Sequence, residues 1–222
     1  MANENHISVK RSARYYTLGS PGPAITDVWF VCHGYAQLAG AFVNEFEIIA
    51  SPPRLIVAPE ALSRFYIPSD KGFHGPDSPI GATWMTREDR DVEIADYVEY
   101  LDVLYDSVFS EIDRDKVSVT VLGFSQGGAT VNRWLTRGHA RADRLIMWGS
   151  LLAADADLSE SAEFFRHVDL NIVYGTRDQF HDTGMMAEYE QRLRSHGIPF
   201  KLQTFNGGHR MDRETLARLA PP

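Results

Sequence analysis

Apolar residues along this chain come in short continuous runs separated by amphipathic stretches. The runs are 27–32 (DVWFVC), 54–58 (RLIVA), 116–122 (KVSVTVL), 145–148 (LIMW), 170–174 (LNIVY) and 200–205 (FKLQTF). Each is strand-sized and rich in β-branched or aromatic residues. Most are apolar without alternation, which suits strands covered on both faces. Residues 7–18 read as one or two further strands, ending at the Gly19-Ser20-Pro21-Gly22-Pro23 turn cluster. Between the runs the period lengthens to that of helices, at 38–50, 126–137, near 158–167, 183–195 and 210–219. Thr86-x-x-Asp89 resembles a capping box opening a long helix, whose stripe runs Ile94, Val98, Leu101, Leu104/Tyr105, Val108. Gly197 and Pro199 stop the 183–195 helix.

Strands alternating with helices at this spacing predict right-handed βαβ crossovers. The fold class is therefore α/β, a mostly parallel central sheet with helices on both faces. One segment breaks the rhythm. Residues 61–85 are rich in Ser, Gly, Pro and aromatics and show no period. Such a loop is expected to wall a functional cleft. No insertion is long enough for a separate cap domain, so residues 1–222 read as one domain.

Composition narrows the partners. A formal net charge of -8 and a pI of about 5.4 disfavour nucleic acid and anionic membranes. The single cysteine, Cys32, excludes an internal disulfide, and its apolar run makes it a packing residue. No apolar leader and no apolar stretch of about 18 residues is present, so a cytoplasmic protein without stable membrane insertion is expected. A homodimer remains open.

The chemistry is concentrated after the 116–122 strand. Gly123-Phe124-Ser125-Gln126-Gly127 is a G-x-S-x-G sequence between a strand and a helix, the setting of a nucleophile elbow. A serine hydroxyl needs a base, and the base needs an acid to orient it. Asp178 follows the NIVYG strand and His209 follows FKLQTF, giving the order Ser, Asp, His. Asp182 and Asp155 are rival acids, Asp182 reading better as a helix cap. Backbone N–H groups of Gln126 and of Tyr35, with Ala36 second, are the expected oxyanion donors. His33 reads as a structural, hydrogen-bonded histidine. His181 is a decoy close to Asp178, and His74 sits where it could touch substrate. Phe73, Trp84, Met85 and Phe180 are candidates for an apolar acyl pocket, or else plain loop anchors. No clustered His/Asp/Glu ligand set is evident, so neither metal nor cofactor is expected.

Taken together, CHGYAQLA, LGFSQGGAT, YGTRDQF and NGGHRMD resemble the phospholipase/carboxylesterase branch of the α/β-hydrolases over nearly the whole chain. That branch includes small bacterial carboxylesterases and acyl-protein thioesterases. The resemblance implies an α/β-hydrolase core, no cofactor, Ser125, Asp178 and His209 as triad, and Tyr35 and Gln126 as oxyanion donors. The motifs and the resemblance together read as a serine carboxyl-ester hydrolase, and a cleft walled by residues 61–85 with no cap domain is expected to be shallow and to take short to medium acyl esters. Alternatives are a thioesterase, lysophospholipase or peptidase with the same triad, or a non-catalytic small-molecule-binding protein. Two departures bear on the pocket. Gln179-Phe180-His181 follows the acid where relatives carry a small apolar residue and proline, and Tyr174 stands where a histidine is common.

Overall fold

The structure is a computed structural model and describes residues 2–68, 74–153, 155–181 and 183–220. Seven strands form one sheet in the order β1-β3-β2-β6-β7-β8-β9. They are β1 (Tyr15–Leu18), β2 (Asp27–Cys32), β3 (Arg54–Pro59), β6 (Ser118–Phe124), β7 (Arg144–Trp148), β8 (Asp169–Gly175) and β9 (Lys201–Phe205). Only the β1–β3 pair is antiparallel. β4 (Ser63–Tyr66) and β5 (Ile80–Thr83) form a separate antiparallel ribbon inside the 61–85 segment, where no strand is expected from the pattern.

Successive side chains of a strand point to opposite faces, and β2 shows both being used. Val28, Phe30 and Cys32 pack in a core with α2 (Arg90–Phe109), α3 (Gln126–Arg137), α4 (Leu158–His167) and α5 (Thr183–Ser195). Trp29 and Val31 pack in a second core with α1 (Ala39–Phe42), the 3₁₀ turns of Val43–Ile49, and α6 (Arg213–Leu219). Burial on both sides explains the unbroken apolar runs. Among the described residues no helix is long and apolar enough to cross a membrane.

Three expected elements differ. The single helix at 38–50 is one turn of α-helix followed by 3₁₀ turns. Val43, Phe46 and Ile49 are the buried positions there, and a spacing of three suits three residues per turn. The strand signal at 7–14 yields no strand. Ile7 and Val9 are exposed and flanked by charged or polar residues, so pairing would bury little. The long helix begins at Arg90 rather than Thr86, after Asp89 in a left-handed conformation. Thr86 instead binds Glu93, its N–H and its hydroxyl both donating to Oε2.

Candidate active site

The strand order reverses between β2 and β6: the chain steps outward from β2 to β3, then returns to add β6 on β2's other side. Ligands of open α/β sheets bind outside the carboxyl ends at such a switch. The loop after β2 and Ser125 after β6 meet at this point.

Ser125 has φ 53° and ψ -119°, a conformation that costs on the order of 1–3 kcal/mol for a side chain with Cβ. Its N–H donates to Trp148 O at 2.9 Å, anchoring the turn to β7. The motif glycines explain how the turn fits. A Cβ on Gly123 would collide with Gly127 O, and one on Gly127 with Cys32 O. A Cβ on Gly128 would strike Ser150. α3 starts at Gln126, whose N–H is among the first-turn donors that no helical carbonyl reaches. The Gln126 side chain clamps the end of the 61–85 segment. Its Nε2 donates to Thr83 Oγ1 (3.0 Å) and Met85 O (2.9 Å), and its Oε1 accepts from Trp84 N–H (3.1 Å).

His33 is fully buried beneath the loop after β2. Its Nε2 accepts from Ala61 N–H at 3.1 Å, so Nδ1 carries the proton and donates to Gly34 O at 2.8 Å. Gln37 N–H also donates to Gly34 O (3.3 Å), and Gly34 N–H donates to Gln37 Oε1 (2.8 Å). With that carbonyl held toward His33, the Tyr35 N–H of the same trans peptide points the other way. Gly34 lies against Ser125, since a Cβ built on it would be 3.2 Å from Ser125 Cβ. The second-choice donor is spent elsewhere: Ala36 N–H donates to Ala82 O at 2.9 Å.

Burial lowers the His33 pKa below its ordinary value, partly opposed by the Gly34 bond. The unfolded chain therefore binds a proton at His33 near pH 6.5 that the native protein refuses. His33 accordingly contributes stability above that pH and loses it as pH falls toward the depressed native value. Urea midpoints measured from about pH 7.5 to about pH 5.5 should decline, and less steeply in His33→Gln, which has no imidazole to protonate. Equal slopes in the two proteins would contradict this.

Asp178 is buried in the loop after β8. Its Oδ2 accepts from His209 Nδ1 at 2.8 Å and its Oδ1 from Phe180 N–H at 2.9 Å. Burial pushes the carboxyl pKa up, but these bonds outweigh it and leave the pKa below its usual value. The His209 loop is sewn to the same place by Thr176 N–H to Phe205 O and Arg177 N–H to Gly207 O, each 2.9 Å. The His209 ring packs on Phe124 (4.9 Å between centroids) and against the edge of Phe180 (4.8 Å). Gly149 leaves it room, since a Cβ there would lie 2.9 Å from His209 Cε1. With the Nδ1 proton committed to Asp178, Nε2 carries a lone pair. That nitrogen is buried and has no hydrogen-bond partner among the described residues.

The remaining candidates separate clearly. Asp155 is taken by Arg133, Arg137 and Arg90, and the Arg133 bond above all, with Arg90 adding charge, holds its pKa well below the carboxylate range. Asp182 and Phe73 lie outside the described residues. Trp84 is a core residue rather than an open pocket wall. Its indole N–H donates to His33 O and its ring packs on Tyr97. Met85 is partly buried, its Sδ 3.6 Å from an Arg133 nitrogen. Phe180 is 56% exposed and Tyr35 is 58% exposed, stacked on Phe65, so both present aromatic surface near the serine loop. His74 is exposed and stacks on Tyr66.

His181 is more than a decoy beside Asp178. It stacks on His209 with centroids 6.1 Å apart, and its Nδ1 lies 3.3 Å from the Asp178 oxygen that His209 holds. Asp178, His181 and His209 thus offer ligand atoms within 4.8 Å of one another, a clustered ligand set that the sequence reading lacks. The D-x-x-H spacing across a turn is the signal that points to it.

No family model matches this chain, and no curated protein matches it. Its solved structural neighbours are informative. Acyl-protein thioesterase 2 from Zea mays superposes with a TM-score of 0.68 at 15% identity, over 94% of this chain and 96% of that one. A carboxylesterase from Mesorhizobium loti gives 0.66 at 18% identity, over 94% and 92%. The Bacillus cereus carboxylesterase gives 0.62 at 12%, over 94% and 92%. The chain has the α/β-hydrolase fold.

Proposed function

We propose that this chain is a serine carboxyl-ester hydrolase of the phospholipase/carboxylesterase type, built as a single domain without a cap. One observation carries the reading: a buried Asp178–His209 pair leaves Nε2 without a hydrogen-bond partner among the described residues, its ring packed on Phe124, the chain neighbour of a serine held at a strained strand-to-helix turn. In this reading Ser125 attacks the acyl carbonyl as His209 Nε2 takes its proton. Asp178 fixes the imidazole tautomer and stabilises the imidazolium. The N–H groups of Tyr35 and Gln126 stabilise the tetrahedral oxyanion, each worth about 3 kcal/mol in comparable sites. His209 then protonates the leaving alcohol, and water repeats the sequence on the acyl-enzyme. No step calls for a metal or cofactor.

The substrate class follows from the walls available. The β4–β5 ribbon, Tyr35 and Phe180 form a rim with exposed aromatic surface. A cleft shaped by loops alone is shallow, and acyl carbons that protrude into water gain none of the ~0.8 kcal/mol per CH₂ that burial supplies. Short to medium chains are therefore the proposed substrates. The test is kcat/KM for p-nitrophenyl esters and matched thioesters from acetyl to palmitoyl. A maximum at short or medium length is expected. A steady rise to palmitoyl would replace the shallow cleft with a long groove, and no turnover of any ester or thioester would overturn the hydrolase reading.

A further inference from the structure

We propose that Asp178, His181 and His209 form a zinc-binding site whose occupation switches the triad off. The proposal rests on reading His209 as the base, while the site itself rests on geometry alone. Two imidazoles and a carboxylate place their ligand atoms within 4.8 Å of one another, around the single oxygen Asp178 Oδ2. His209 Nδ1 bonds that oxygen, whereas His181 Nδ1, buried and 3.3 Å away, makes no hydrogen bond among the described residues. The turn fixes His181 there, its N–H donating to Asp178 O at 3.3 Å.

Tetrahedral zinc, with nitrogen and oxygen ligands near 2.0–2.2 Å, sets neighbouring ligand atoms about 3.3–3.5 Å apart. The His181–Asp178 separation of 3.3 Å already matches. The His209–Asp178 contact of 2.8 Å needs to open by about half an ångström, and the two imidazole nitrogens, within 4.8 Å of each other, need to settle at the same spacing by rotation of the rings. Imidazole and carboxylate donors suit zinc better than magnesium or calcium, which prefer all-oxygen sets. A water completes the four ligands.

Inhibition follows from the tautomer. In the free protein the single imidazole proton sits on Nδ1 and Nε2 holds the lone pair. Zinc takes the Nδ1 lone pair, so the Nδ1 proton leaves to water and Nε2 gains one from water, with no net proton change. The protonated Nε2 cannot accept the Ser125 proton, and attack on the acyl carbonyl stops. Zinc would thus lower kcat by removing active molecules and leave KM unchanged.

The experiment pairs binding with activity on the full chain. Zn²⁺ binding to metal-free protein is measured by calorimetry, in wild type and in His181→Gln. Both carry His6→Ala to remove the exposed Glu4/His6/Asp89 cluster. His181→Gln is expected to weaken zinc binding at least tenfold. Ester hydrolysis by this variant should resist the zinc concentration that halves wild-type activity, and a chelator should restore the wild type. Independently of any variant, the ring NMR signals of His181 and His209 should shift together as zinc is added to wild type. Unchanged zinc affinity in a folded His181→Gln, ring signals that do not move, or zinc bound at His181 without loss of hydrolysis would each overturn the proposal. His181-dependent binding in a protein with no hydrolase activity would uphold the site and overturn the function proposed above.

Discussion

Ser125→Ala is expected to lower kcat for ester hydrolysis by at least about a thousandfold, because a nucleophile removed from a triad cannot be replaced by its partners. The fold should survive. Ser125 Oγ makes no hydrogen bond among the described residues, and the turn is held by its backbone bond to Trp148 and by the glycines around it. Alanine suffers the same positive φ as serine, so the strain is little changed. Thermal unfolding should therefore move by no more than a few degrees, which corresponds to under about 1 kcal/mol for a chain this size. A fluorophosphonate probe separates chemistry from binding. It should add one covalent label to wild type, on Ser125, and none to the variant. A fall in kcat of less than about a hundredfold, or labelling that persists, would remove Ser125 from the nucleophile's role.

The parts of this fold that the sequence makes legible are those where one physical demand dominates. β2, β6 and β8 are covered on both sides, and that demand alone writes unbroken apolar runs. Ser125 and Asp178 follow such runs at their carboxyl ends, where the sheet leaves room for chemistry, whereas His209 follows β9, a strand that is mostly exposed and weaker in its sequence signal. Elements whose form depends on partners are less legible. Ile7 and Val9 have strand character but find no partner, and Val43–Ile49 could be α or 3₁₀ until packing chose the tighter turn. Thr86 and Asp89 match a capping box, yet Glu93 captures Thr86 and the helix starts later. Trp84 illustrates the limit for pockets. A loop tryptophan has the same sequence signature whether it lines a cleft or plugs a core, and here the His33 carbonyl and the Tyr97 ring hold it inside. His181 is legible as a neighbour of Asp178 from the D-x-x-H spacing, but that it shares Oδ2 with His209 depends on how the β8 and β9 loops meet.

Asp178→Asn is expected to be nearly as damaging as loss of the nucleophile, lowering kcat by about 10⁴ with little change in KM, as the equivalent change does in other triads. The local bonds say which way the new amide turns. Asp178 Oδ1 accepts from Phe180 N–H, so the asparagine must place its carbonyl oxygen there. Its NH₂ group then takes the place of Oδ2 and faces His209 Nδ1, formerly 2.8 Å from a carboxylate oxygen. A donor now meets the nitrogen that carried the proton. His209 responds by moving its proton to Nε2, which leaves no lone pair toward Ser125. The side chain is almost fully buried, so no water can mediate an alternative. The geometry survives while the tautomer is wrong, and binding is spared because substrate touches neither group's altered atom. Two measurements check this: kcat near pH 7, and the imidazole proton signals, which should report His209 protonated at Nδ1 in wild type and at Nε2 in the variant. A kcat within tenfold of wild type would mean that Asp178 orients no base, and the search for the acid would pass to Asp182.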